Sequence, residues 1–339
     1  MFTDTKNENE NVENFTAGVS LLFGSLKAIV GYYIHRDLGI YLRTLSEKQF
    51  CSNAKRYGVI ETILMNKCLK HINTQTITLC VIPFFYILFA NIPCIYKRIT
   101  QDSGWTFPFG SFPLFDTTYS PNYEFALLYV NIVNFGVFII FMALVATIVG
   151  VMVFLNYQCQ ILQNRIKKCS HHSFENNVFN RLYLENNLKD CARQLTSIME
   201  ISRKFKNLFS FLLLVDFIGL SVIIALCLLV GITIKLYDLK SAQLFTMLFA
   251  AIYTEFLTTY WGSELVKEYL AIGDCYYDID FVGIDIRLQR SLRFMIQQTQ
   301  KPIQFSVGGF SPLTMRTFLL VLKGSYSGFT LLYNLNKVK

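Results

Sequence analysis

From Tyr123 to Leu155 the chain is apolar for longer than a lipid bilayer is thick. As a helix this stretch reaches about 50 Å at 1.5 Å per residue, against a hydrocarbon core of roughly 30 Å. It predicts a membrane helix whose far end projects into water. Further apolar stretches of span length lie at about 15–35, 74–96, 209–234, 242–261 and 312–335. Pro83 and Pro93 are tolerable in the second because neighbouring helices re-satisfy the freed backbone groups. With 53% hydrophobic and 16% charged residues, a soluble domain is excluded and an all-α polytopic membrane protein with six spans is expected. The polar residues before Phe15 make a poor secretory signal.

Basic residues then orient the spans. Residues 36–73, 156–206 and 263–311 hold seven, nine and five Lys or Arg, whereas the N-terminal segment, 97–122, 235–241 and the tail from 336 hold one, two, two and two. The richer set is expected in the cytosol, which places both termini outside. The formal charge of +8 therefore reflects membrane orientation, and no nucleic-acid partner is expected. Leu184, Leu188, Cys191, Leu195 and Ile198 repeat at steps of four and three, which predicts a cytosolic helix buried in a bundle. Ile284, Leu288, Leu292, Met295 and Ile296 share one face of a second, amphipathic helix, with Arg287, Arg290 and Arg293 elsewhere. Segments 156–206 and 263–311 thus read as a cytosolic helical anchor in a single membrane domain spanning 1–339. The acidic run Asp274, Asp278, Asp280, Asp285 reads as a solvated face. The aromatic, proline-punctuated stretch 97–122 has the composition of a loop that can fold down as a lid.

The last span is unusual. Lys323, Ser327, Thr330 and Asn334 fall on one helical face, and Gly324, Gly328, Leu331 and Leu335 form a stripe beside it. A lipid anchor needs neither stripe; a helix that lines a water-filled path and packs against copies of itself uses both. Nine cysteines show no CxxC pair, and Cys169, His171 and His172 have no second cluster nearby, so neither a disulfide framework nor a metal site is expected. Asp216 and Glu255 are intramembrane carboxylates without a motif partner in sequence, which argues against an enzyme, and no repeated halves suggest a transporter. No cofactor is implied.

Lys323-Gly-Ser-Tyr-Ser-Gly-Phe-Thr-Leu-Leu332 resembles the C-terminal signature of insect odorant receptors. Gln300-Lys-Pro and Gly308-Gly-Phe-Ser-Pro-Leu-Thr314 precede it as in that family, and Tyr119-Ser-Pro-Asn-Tyr-Glu124 is similar to the family's second outer loop entering its fourth helix. The resemblance covers roughly residues 14–336; gustatory receptors are less similar around Tyr326. It implies a seven-helix subunit, here without the first helix, whether through N-terminal truncation or because the gene is non-functional, with an extracellular C-terminus. A G-protein-coupled chemoreceptor, the competing class, ends in the cytosol. The resemblance further implies a ligand-gated nonselective cation channel, formed as a heterotetramer with a co-receptor in the plasma membrane of sensory neurons. Lys323, Ser327, Thr330 and Asn334 would line the pore, with Leu331 and Leu335 as the gate; Lys323 would face either the inner vestibule or a neighbouring subunit. Volatile odorants would bind in the outer half of the bundle, near Leu22, Phe23, Phe85, Phe89, Phe135, Phe245, Phe249 and Tyr253, by shape and apolar burial, with lipid around the subunit.

Overall fold

The structure, a computed structural model of the chain, describes residues 2–46, 59–100, 105, 107–108, 119–173, 181–233, 239–279, 285–301 and 303–338. Among these residues it contains helices α1 (Phe2–Leu45), α2 (Val59–Thr100), α3 (Asn122–Ser173), α4 (Arg181–Thr233), α5 (Leu239–Tyr277), α6 (Ile286–Thr299) and α7 (Met315–Val338). A short antiparallel hairpin, β1 (Ser306–Val307) with β2 (Ser311–Pro312), precedes α7. The six stretches of span length fall on α1, α2, α3, α4, α5 and α7. By length and composition, α2, α3 and α4 are each sufficient to cross a membrane. The other three carry Lys27, Glu255 and Lys323 inside their apolar runs.

These helices outrun their apolar stretches. The 52 residues of α3 and 53 of α4 make rods of about 80 Å at 1.5 Å per residue. Their extensions pack with the end of α5 and with α6 into an anchor end continuous with the bundle. Leu184, Leu188, Cys191, Leu195 and Ile198 are all buried there, as their spacing requires. Asp285 belongs to the acidic run read as a solvated face, yet it caps α6: its carboxylate accepts from the Arg287 N–H at 3.1 Å. Leu288 and Leu292 are the buried apolar positions of α6, with Met295 and Ile296 half-buried; Ile284 lies outside the described residues.

Polar bonds tie the anchor end together. Arg165 grips Glu61 through two bonds of 2.7 and 3.0 Å and donates a third, of 2.9 Å, to Gln194. Gln160 and Gln163 donate to the Glu268 carboxylate at 2.9 and 2.7 Å. The eight described cysteines are free thiols, seven of them buried.

The hairpin positions the last helix. Gly308 donates its N–H to the Ser210 carbonyl at 2.9 Å, and the Ser210 hydroxyl donates to the Ser306 carbonyl at 3.2 Å. Gly308 has φ +57°, and a Cβ there would stand 2.9 Å from Leu214 on α4, so only glycine suits both the backbone and the space. At the start of α7 the Met315 N–H donates to Ser263 Oγ at 2.9 Å. The Leu313 carbonyl lies so close to Gly262 that a Cβ on that glycine would approach it to 2.7 Å. The last helix is therefore hung from α4 and α5.

Candidate ligand site

A cavity of about 70 Å³ opens where α1, α2, α3, α4 and α5 meet. One water needs roughly 10–15 Å³, so the space suits something larger than a single water. Gly24, Ala250 and Ala251 leave the room, while Tyr86, Phe138, Phe141, Met142 and Met247 supply most of the apolar wall. Tyr86 and Phe138 stand edge to face with centroids 4.8 Å apart, which fixes both rings. The polar lining residues are Ser20, Tyr86, Asn134 and Thr254.

Charge closes one end. Lys27 follows the lining residue Gly24 by one turn, Asp216 precedes Leu220 by one turn, and Glu255 follows Ala251 by one turn. All three are buried. Lys27 Nζ is 2.6 Å from the Asp216 carboxylate and 3.8 Å from the centroid of Phe141. Glu255 interacts electrostatically with both charged partners. Phe141 thus both lines the cavity and carries the Lys27 ammonium over its ring. Sequence left Asp216 isolated; its partner Lys27 lies on α1, far away along the chain, and only the packing of α1 on α4 joins them.

Toward the opposite end, Asn91 on α2 and Asn131 on α3 exchange amide hydrogen bonds of 2.7 and 2.9 Å. Beyond them the Arg98 and Glu124 side chains meet at 2.9 Å, and the Arg98 guanidinium stacks 4.0 Å from the Trp105 centroid. Trp105 and Phe107 both rest on Tyr123, and Gln243 donates to the Pro108 carbonyl at 3.2 Å. The described part of the proposed lid is therefore fastened to α3 and α5; its remaining residues lie outside the described ones.

The eight residues selected from sequence as ligand contacts sit at the depth of the cavity and do not line it. Leu22, Phe85, Phe135, Phe245 and Phe249 are exposed on the outside of the bundle. Phe23, Phe89 and Tyr253 are half-buried: Phe23 packs on Gly219 of α4, Phe89 stacks on Phe85, and Tyr253 stacks on Phe249. The lining residues are their chain neighbours, Leu21, Gly24, Tyr86, Asn134 and Thr254. One residue along a helix turns the side chain by about 100°, so the depth was legible and the facing was not. Small residues beside polar ones, such as Ala250, Ala251 and Thr254, were the available signal.

On α7, Lys323, Ser327, Leu331 and Asn334 are exposed and Thr330 is half-buried; the Leu335 side chain lies outside the described ones. Ser327 and Thr330 return their hydroxyl protons to the carbonyls of Lys323 and Ser327. Gly328 faces Ala225 on α4, with a Cβ–Cβ approach of 3.8 Å available. Gly328 thus packs inside the subunit, while three of the four polar-stripe residues, Lys323, Ser327 and Asn334, stay exposed.

A sequence profile of the family described as 7tm Odorant receptor matches residues 7–326. The chain belongs to the insect odorant receptor family. Among its relatives are putative odorant receptor 92a of Drosophila melanogaster, 30% identical over 48% of this chain and 37% of that protein, and odorant receptor Or2 of Anopheles gambiae, 23% identical over 68% and 61%. The chain therefore spans less than two thirds of the length of either relative. The olfactory receptor OR5 of Machilis hrabei, solved in complex with eugenol, superposes with a TM-score of 0.83 over 96% of this chain and 82% of that one, at 13% identity. The same helical architecture is thus present in both. The family is one of multi-pass membrane receptors and channels, not enzymes.

Proposed function

We propose that this odorant receptor binds a small, largely apolar volatile in the cavity between α1 and α5 and, assembled with a co-receptor as a heterotetramer, gates a nonselective cation pore lined by α7. The observation that carries the reading is the pairing of an apolar cavity among five helices with a last helix that leaves Lys323, Ser327 and Asn334 exposed. The apolar stretches support six spans, the distribution of basic residues supports an outward C-terminus and a cytosolic anchor, and sensory-neuron plasma membrane is the proposed place of action. Ligand contact is assigned to the lining residues, with Phe23, Phe89 and Tyr253 as a second layer behind them.

The coupling runs through α5. Its middle turns supply Met247, Ala250, Ala251 and Thr254 to the cavity, and its later turns hold Leu313 and Met315 through Gly262 and Ser263. Phe256 also meets Phe318 of α7 edge to face at 5.9 Å. A ligand that favours a slightly displaced α5 transmits its differential binding energy, and no more than that, to α7. Leu331 and Leu335, with the equivalent positions of the co-receptor subunits, would ring the axis and stop ions by dewetting, and an outward shift of α7 would re-wet the path.

The test is cation current in oocytes expressing this chain with a co-receptor, across a broad panel of volatiles. Odour-evoked current is expected. Silence across the panel with the chain present at the cell surface would contradict the proposal.

A further inference from the structure

The cavity's hydroxyl protons are already spent. A serine or threonine hydroxyl has one hydrogen to donate and two lone pairs to accept with. Ser20 Oγ donates to the Thr16 carbonyl at 2.8 Å, and Thr254 Oγ1 lies 2.9 and 3.0 Å from the carbonyls of Ala250 and Ala251. Both return their proton to their own helix, so what each can still offer is an acceptor. The Tyr86 hydroxyl donates toward the Met247 thioether at 3.8 Å, and Asn134 uses one N–H on the Val130 carbonyl at 2.8 Å. Among the described lining residues, the second N–H of Asn134 is the strong donor with no bond assigned to it.

The floor repeats the asymmetry. One turn beyond the lining stand two carboxyl groups and one ammonium, and that ammonium is held by Asp216 and covered by the Phe141 ring. Phe141 lines the cavity and Lys27 does not, so a ligand there meets the ring and not the Lys27 donor. Face-on contact with an aromatic ring also favours positively polarised hydrogens.

We infer that this cavity selects odorants that donate a hydrogen bond, namely alcohols and phenols, over ethers, aldehydes and hydrocarbons of the same size. The inference rests on the reading of the cavity as the odorant site. A hydroxyl ligand finds lone pairs on Ser20 and Thr254 without disturbing any bond. An ether or aldehyde must use Asn134 or pull a hydroxyl off its helix carbonyl, which leaves that carbonyl unsatisfied. One net hydrogen bond in a buried site corresponds to roughly threefold to tenfold in affinity.

The experiment compares benzyl alcohol with anisole, benzaldehyde and ethylbenzene, which have equal numbers of non-hydrogen atoms. Each is applied to cells expressing the chain with a co-receptor, and each is scored for half-maximal concentration and for thermal protection of the purified complex. The expected result is a potency about threefold to tenfold higher for the alcohol than for anisole and benzaldehyde. Thr254→Val, which keeps the shape and removes the lone pairs, should narrow that ratio when each potency is referred to ethylbenzene on the same variant. Ser20→Ala gives an independent second variant at a half-buried position. Equal potency of alcohol and ether, or a ratio that neither variant alters, overturns the donor preference while leaving the receptor reading intact. Absence of both current and thermal protection for every volatile removes the receptor reading and the preference with it.

Discussion

Replacing Lys27 by Met tests the buried charge under the cavity. Lys27 is fully buried, its ammonium is 2.6 Å from Asp216, and Glu255 lies close enough to interact with both. Met fills nearly the same volume, so little packing is lost. What changes is that two buried carboxyl groups lose their only cation among the described residues. Removing one partner of a buried pair costs about 3–5 kcal/mol, whereas replacing both by apolar residues is near neutral or stabilising by about 1–4 kcal/mol. Lys27→Met and Asp216→Leu should each therefore be severely destabilising, and the double variant should fold close to wild type. Adding Glu255→Gln to Lys27→Met should restore part of the loss, because it removes the second uncompensated acid. The assay is thermal unfolding of the detergent-solubilised protein followed by monodisperse size-exclusion peak height, with surface labelling in cells as a parallel reading. If either single variant melts within about 0.5 kcal/mol of wild type, or if the double variant is as damaged as the sum of the singles, the ion pair is not the compensated unit described here.

Three further outcomes follow. Glu61→Gln should leave the buried Arg165 guanidinium without its bidentate partner and destabilise the anchor end by about 3–5 kcal/mol, read as the same thermal shift and as loss of tetramer on size exclusion. The hydrogen bond with Cys169, together with burial, pushes the Cys191 thiol well above its ordinary value, so almost none is thiolate at neutral pH and alkylation by maleimide should be far slower than for a free thiol. Because the shift is upward, reactivity should climb only as pH rises into the alkaline range; rapid labelling at neutral pH in the folded protein would contradict it. Gly262→Ala would set a Cβ against the Leu313 carbonyl, a backbone clash typically costing about 1–3 kcal/mol. It should reduce odour-evoked current more than ligand-induced thermal protection, since it strikes the joint between α5 and α7 and not the cavity.

The periodic signals were legible because water punishes their violation. Leu184, Leu188, Cys191, Leu195 and Ile198 read as one buried face, and the α6 face read correctly at Leu288 and Leu292, because the opposite sides of those helices are polar. Inside the bilayer that contrast disappears. Lipid is as apolar as a protein core, so Phe85 facing outward and Tyr86 facing the cavity look alike in sequence, and choosing the bulkier apolar residues selected the outer surface. The charged floor was illegible for a different reason: Lys27, Asp216 and Glu255 lie on three helices, and no spacing rule connects them. The extended helices, α3 and α4 above all, were legible as overlong apolar or periodic stretches, but their continuity across the expected boundaries near residues 155 and 206 came from packing.

Whether occupancy of this cavity drives the last helix is decided at Ala250. Ala250 lines the cavity on α5, and each added methylene there removes space from the ligand. Half-maximal concentrations for a homologous series of alcohols should be measured on the wild type, Ala250→Val and Ala250→Leu, each co-expressed with a co-receptor and checked for surface expression. The account predicts that the largest effective alcohol becomes shorter with each step while the smallest retain their potency. An unchanged size limit in variants that reach the surface and still respond would show that odorants act elsewhere.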